Sequence, residues 1–204
     1  MTYVSELKHF LEHWDDPFIE VAEGEEFAVG ALGNINTAGN AQCADSPIFT
    51  KYHRYLKRSL ELGVRDLVTA FILKYNLITY SSCQGHPATP ESEMRCRYIA
   101  FIPKDEGDYQ RVDEILQYFM YTVNAEFPTH PVQIAMGKDD VESEEITMPA
   151  LTFFFVPISD DISEIVYFHE VEPIYRRTVD LINAVNLNST NSCFFNRFVI
   201  ELII

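Results

Sequence analysis

Apolar residues follow two different periods along this chain of 204 residues. Apolar positions three or four residues apart predict amphipathic helices, and these cover 3–14, 46–74, 108–124 and 160–185. Ser46 and Pro47 are typical of a helix start, as N-cap and first helical residue. Pro173 lies inside the last of these helices and predicts a kink or a restart there.

Short apolar runs bounded by turn-forming residues predict strands. They cover 27–32, 77–82, 95–103, 131–136, 146–157 and 193–204. The second half of 95–103 is apolar on both faces, which is typical of a central strand. The acidic stretch 137–145 lies between two strands and predicts a solvated hairpin tip.

The order of these elements predicts the fold. Residues 95–204 give strand, helix, strand, strand, helix, strand, which is the ferredoxin-like βαββαβ order. We therefore expect an α+β fold in which helices cover one face of an antiparallel sheet, with strand 77–82 joining its edge. Residues 1–204 are predicted to form a single domain. Its parts are a mainly helical N-terminal elaboration over 1–75 and a sheet-containing core over 76–204.

Composition narrows the class of protein. Hydrophobic residues make up 47% of the chain, enough to bury a core. No apolar run approaches the roughly 20 residues that cross a bilayer, and residues 1–14 lack a signal-peptide pattern. The four cysteines include no CxxC pair, so reduced thiols are expected rather than disulfides or a structural zinc site. These features predict a cytoplasmic protein without a membrane partner.

The charge is −16 overall but unevenly distributed. A strongly acidic chain is a poor partner for nucleic acid, whose binding needs a basic surface. Residues 51–97, however, hold eight basic and four acidic side chains. Two interpretations are open. The segment forms a local site for a small anionic ligand, or its lysines and arginines pair with acids from the flanking segments.

A cysteine–histidine motif, Ser81–His86, follows the predicted strand 77–82 within this basic segment. An imidazolium close to a thiol lowers the thiol pKa and produces a nucleophilic thiolate. Cys83 and His86 are therefore the candidate catalytic residues, with His86 as proton partner. The sequence does not indicate a third group that would orient the imidazole.

Residues around this pair are candidates for holding a small anionic or nucleotide-like ligand. Backbone N–H groups beside a glycine can form an anion nest, hydroxyls donate hydrogen bonds, and arginines bind oxyanions. The predicted ligand-binding residues are Ser81, Ser82, Gln84, Gly85, Arg95, Arg97 and Arg54.

The same motif has other interpretations. It is equally typical of a tight structural turn in a non-catalytic binding or regulatory module, which would pair its exposed sheet edges in a homodimer. A metal site from Cys83, His86, Cys96 and one further ligand is a minor alternative, because the ligand count is short and zinc sites usually show tighter paired spacing; no metal ligand is therefore predicted. The cofactor stays unknown from the residues themselves.

Ser81, Ser82, Cys83 and Gly85 also match a known pattern. The segment resembles the Ser-Ser-Cys-Ser-Gly-Arg motif of the wybutosine-synthesising tRNA methyltransferase family, with His86 in place of the arginine. The resemblance covers about residues 60–103. It implies an α/β fold, S-adenosylmethionine as cofactor and a tRNA base as substrate. The negative charge of the chain opposes tRNA as a partner.

Overall fold

The computed structural model describes residues 2–3, 7–18, 50–53 and 56–185. The strands in this part of the chain are β1 (Thr2–Tyr3), β2 (Ile78–Cys83), β3 (Arg97–Ile102), β4 (Val132–Glu142) and β5 (Thr147–Pro157). The helices are α1 (Leu7–His13), α2 (Leu56–Ser59), α3 (Leu62–Tyr75), α4 (Glu106–Glu126) and α5 (Glu164–Ala184). None of these helices is both long and apolar enough to cross a membrane.

The strands form one sheet in the order β1-β4-β5-β3-β2. Neighbouring strands are antiparallel, except that β1 runs parallel to β4. The α+β prediction is confirmed, and β2 joins the sheet beside β3 as expected. In a ferredoxin-like fold the edge position beside the strand that corresponds to β3 belongs to the final strand, whereas here β2 occupies it. The predicted strands 27–32 and 193–204 lie outside the described residues.

Helices α3, α4 and α5 pack against one another and cover one face of the sheet. Aromatic rings fill the centre of this layer. Phe71 of α3 meets Phe101 of β3, Phe153 of β5 and Phe119 of α4 edge-on, with ring centroids 5.0–5.9 Å apart. Edge-to-face pairs of this kind add to the stabilisation that comes from burying the rings. The helix layer and the sheet therefore share one aromatic core.

The predicted helix 46–74 is wrong as a continuous element. Residues 50–53 form a turn, and the chain leaves the helical path between α2 and α3. Glu61 there has φ −59° and ψ 144°, an extended conformation. Its side chain bonds to Gln84 and His86, which lie in the segment that follows β2. A tertiary contact thus overrides the local apolar period, and α3 starts at Leu62.

Two further sequence predictions need correction. The acidic stretch 137–145 is mostly strand, because β4 continues to Glu142 and pairs in register with β5 from Gly137↔Thr152 to Glu142↔Thr147. Most of its charged side chains, including Lys138, Asp139 and Asp140, stay exposed while the backbone hydrogen bonds are made. Of the kink or restart predicted at Pro173, the restart is absent, because α5 continues through that residue, and the kink stays a prediction.

The first predicted helix, 3–14, is wrong at its start. Tyr3 lies in the strand Thr2–Tyr3, which pairs with Val141 and Glu142. The described helix α1 is Leu7–His13.

Candidate functional site

Three side chains from two parts of the chain meet where β2 ends. They are Glu61, just before α3, Cys83, the last residue of β2, and His86, which follows it. One donor atom from each residue lies within 4.8 Å of the other two. We call this group the Glu61 cluster. It combines a carboxylate, a thiol and an imidazole in one place.

Glu61 holds the cluster together. Its Oε1 lies 2.9 Å from Nε2 of His86, and its Oε2 accepts a hydrogen bond from the Gln84 N–H at 2.7 Å. The carboxylate is nearly inaccessible, with 9% of its side chain exposed. A buried carboxylate that bonds an imidazole fixes the direction in which the ring points. Glu61 is therefore the orienting group that sequence reasoning missed.

The backbone after β2 is shaped to present these residues. A bulge at Tyr80 shifts the pairing with β3 by one residue, which turns Cys83 to the same face as Ile78. Gly85 has φ +88°, a conformation that side chains disfavour. His86 then pairs with Arg95 through two backbone hydrogen bonds of 2.9 and 3.0 Å. The motif therefore lies at the end of a bulged strand, and the β-bridge between His86 and Arg95 holds its far end.

Gly63 lets the start of α3 approach this segment closely. A Cβ on Gly63 would lie 2.7 Å from the Cβ of Gln84, closer than real atoms come. The Gly63 N–H donates to the Gln84 side-chain oxygen at 3.0 Å. The absence of a side chain at Gly63 therefore lets Glu61 reach the cluster.

Gly63→Ala is expected to lower the free energy of unfolding by roughly 1–2 kcal/mol, because overpacking outweighs the gain in helix propensity. Gly107→Ala, at the same position in α4, is the control. Its Cβ would meet only the end of the Asp105 side chain, at 3.3 Å. That variant should be neutral or stabilised by up to about 1 kcal/mol. Equal effects of the two variants in urea unfolding would contradict the close approach.

The surroundings of Cys83 favour a protonated thiol. Burial raises its pKa, and the Glu61 carboxylate acts in the same direction. The Gly85 N–H, which donates to Sγ at 3.4 Å, and the Arg95 charge oppose the shift but do not reverse it. A thiol nucleophile needs the opposite direction. These surroundings are therefore poorly suited to making a thiolate.

The chain matches no protein-family model, no curated protein and no solved structure. The resemblance of Ser81–His86 to the wybutosine-synthesising family stays a prediction, and so does the methyltransferase chemistry that it implies. The function of the Glu61 cluster rests on its own geometry.

Arg97, a predicted ligand-binding residue, is buried next to the motif and is bonded to other groups of the protein. Its Nε donates to the Gln84 carbonyl at 3.1 Å and its NH1 to Glu172 at 3.2 Å. The guanidinium also stacks 4.6 Å from the centre of the Tyr175 ring. Burial raises the pKa of Glu172, but Arg176 and Arg97 outweigh it, and the net shift is downward. Arg97 thus supports the backbone that carries the cluster.

The other predicted site residues separate into two groups. Gln84 and Gly85 form the backbone of the cluster, and exposed Arg95 lies opposite His86. Ser81 and Ser82 are half-buried within β2, where the Ser81 hydroxyl bonds that of Tyr98 at 3.0 Å. Arg54 lies outside the described residues. Cys96, which the sequence offered as a possible metal ligand, is not part of the Glu61 cluster; the third donor there is Glu61.

Proposed function

We propose that the Glu61 cluster binds a divalent transition-metal ion of the zinc class. The observation that carries this proposal is the convergence of three donors within 4.8 Å, from Glu61, Cys83 and His86. Thiolate, imidazole and carboxylate are the ligand types that Zn²⁺ takes in proteins. Ca²⁺ and Mg²⁺ prefer oxygen ligands throughout, so the thiol selects against them.

A metal ion would also resolve the electrostatics of the site. The Glu61 carboxylate opposes ionisation of Cys83, because two negative charges would then lie together in a buried place. A divalent cation between them turns this repulsion into attraction, and it deprotonates a thiol that it binds. The ion would replace the contact between His86 and Glu61 and draw the donors to about 2.0–2.3 Å.

Three protein ligands leave one position of a tetrahedral ion free. Structural zinc sites are usually closed by four protein ligands, whereas catalytic sites keep the fourth for water or substrate. The proposal therefore favours an enzyme over a purely structural module. We also place the protein in the cytoplasm, where the thiol of Cys83 stays reduced.

Metal-free thiol chemistry is the second candidate function. The 2.9 Å contact between His86 and Glu61 supports it, because an oriented imidazole is what a general base requires. The raised pKa of Cys83 argues against it. The non-catalytic alternative, a module that pairs as a homodimer, stays a prediction.

Cobalt titration of the metal-stripped protein tests the proposal. We expect one Co²⁺ per chain, with a charge-transfer band from the Cys83 thiolate and the visible spectrum of a four-coordinate ion. Cys83→Ser should remove the charge-transfer band and weaken binding by more than about 100-fold, since even outer-shell substitutions cost roughly 10–100-fold.

Cys96→Ser is the matched control, because Cys96 lies outside the cluster and its thiol faces Tyr167 instead. It should bind Co²⁺ like the unmodified chain. If Cys83 alkylates rapidly at neutral pH in the stripped protein while no Co²⁺ binds, the metal proposal is wrong and thiol chemistry takes its place.

A further inference from the structure

We infer that Gln84 is a positioning residue of the metal site. Its side chain caps helix α3 in place of Glu61 and so releases the Glu61 carboxylate for the metal. The inference rests on the proposed metal at the Glu61 cluster and names what controls the metal affinity of that site. It follows from the place of Glu61 at the helix start and from the two bonds that Gln84 makes there.

Glu61 occupies a position whose side chain commonly bonds its own helix. It is the N-cap of α3, the residue directly before Leu62. An N-cap side chain typically accepts a hydrogen bond from the backbone N–H two or three residues further on, which has no partner within the helix. A carboxylate is also attracted by the partial positive charge at a helix start. The Glu61 side chain nevertheless makes no capping bond.

Gln84 makes that bond instead. Gly63, two residues after Glu61, donates its N–H to the side-chain oxygen of Gln84 at 3.0 Å. This acceptor comes from the segment that follows β2, 21 residues further along the chain. The start of α3 is therefore capped by a neutral amide, and the capping does not occupy the Glu61 carboxylate.

Gln84 also holds the carboxylate that it releases. Its backbone N–H donates to Oε2 of Glu61 at 2.7 Å, while Oε1 lies 2.9 Å from Nε2 of His86. Because Oε2 is already bonded, Oε1 is the atom that would bind the metal, and Glu61 would bind it through one oxygen. Hydrogen bonds to the ligating groups orient them and tune metal affinity. The backbone and the side chain of Gln84 thus act on the same ligand.

Loss of the amide oxygen would create a competition for Glu61. The half-buried Gly63 N–H would lose its acceptor, and an unpaired polar group costs free energy when it is shielded from water. The Glu61 carboxylate belongs to the N-cap residue of the same helix and is suited to replace that acceptor. A metal ion would then have to break the new cap before it could bind Glu61, so its affinity would fall.

Cobalt titration of Gln84→Met tests this inference. Methionine keeps the length of glutamine but has no amide oxygen. We expect Co²⁺ to bind about tenfold more weakly, as outer-shell substitutions do, and the charge-transfer band of the Cys83 thiolate to persist. Gln84→Glu restores an oxygen at the same distance from the backbone and should recover most of the affinity. Titration in 1 M sodium chloride limits the direct effect of its added charge, because the screening length there is about 3 Å.

Gln133→Met is the matched control. The half-buried Gln133 side chain also bonds a helix end, since it donates to the carbonyls of Phe127 and Pro128 at 3.4 and 3.3 Å, where α4 ends. This variant should change Co²⁺ affinity less than about twofold, as expected of a distant site.

Three results would overturn the positioning role and leave the metal site intact: unchanged Co²⁺ affinity in Gln84→Met, an equal loss in Gln133→Met, or no recovery in Gln84→Glu. Absence of any cobalt spectrum from the unmodified chain would instead reject the metal site itself.

Discussion

Replacing Arg97 with methionine is expected to weaken metal binding by about 10–100-fold and to lower the free energy of unfolding by roughly 2–3 kcal/mol. The guanidinium bonds the Gln84 carbonyl, and the Gln84 N–H bonds Glu61, so Arg97 acts on the cluster through one residue. The loss of stability is below that of a fully buried ion pair, because 39% of the Glu172 side chain is exposed. Cobalt titration and urea unfolding measure the two effects.

Arg176→Met provides a matched control. Arg176 bonds the same carboxylate, Glu172, at 3.0 Å, but 76% of its side chain is exposed. An exposed ion pair of this kind contributes at most about 1 kcal/mol. The variant should therefore keep its metal affinity and nearly all its stability. Equal losses of metal affinity and stability in the two variants would show that pairing with the Glu172 charge accounts for both effects. Arg97 would then have no separate role in positioning the cluster.

Replacing Phe71 with alanine is expected to lower the free energy of unfolding by roughly 3–5 kcal/mol. Its ring is fully buried and lies at the meeting point of α3, α4 and the sheet. Three ring contacts are lost together, and rigid neighbours around the site limit how far the cavity can close. The denaturation midpoint in urea reports the effect.

Leu73→Ala on the same helix is its control, because 68% of the Leu73 side chain is exposed. This variant should change the free energy of unfolding by less than about 0.5 kcal/mol. A loss of less than 1 kcal/mol in Phe71→Ala would mean that the aromatic core does not join the helix layer to the sheet.

The fold could be predicted from the sequence where one local period dominates. The apolar run at 146–157 and the helical period at 108–124 correspond to β5 and α4, because each element buries the face that its pattern shows. Prediction fails where backbone pairing overrides side-chain character. The charged residues 138–140 form part of a strand since they complete the hydrogen bonds of β4 with β5.

The candidate site was only partly visible in the sequence. Cys83 and His86 are three residues apart in the chain, so their spacing indicated a candidate site. Glu61 lies 22 residues before Cys83 and reaches it only because the chain leaves the helical path and Gly63 permits close approach. Glu61 is one of four acidic residues in this basic segment, and nothing in the local sequence distinguishes it as the one that makes this contact. The contrast between exposed Arg95 and buried Arg97 likewise depends on the pairing of the strand ends.

Anomalous X-ray scattering from a crystal of the zinc-loaded protein, measured on both sides of the zinc absorption edge, tests the metal site most directly. We predict one strong anomalous peak bounded by Glu61, Cys83 and His86, and no peak there in a crystal of Cys83→Ser. A zinc peak elsewhere on the chain, or an intact contact between His86 and Glu61 in the presence of excess zinc, would contradict the account.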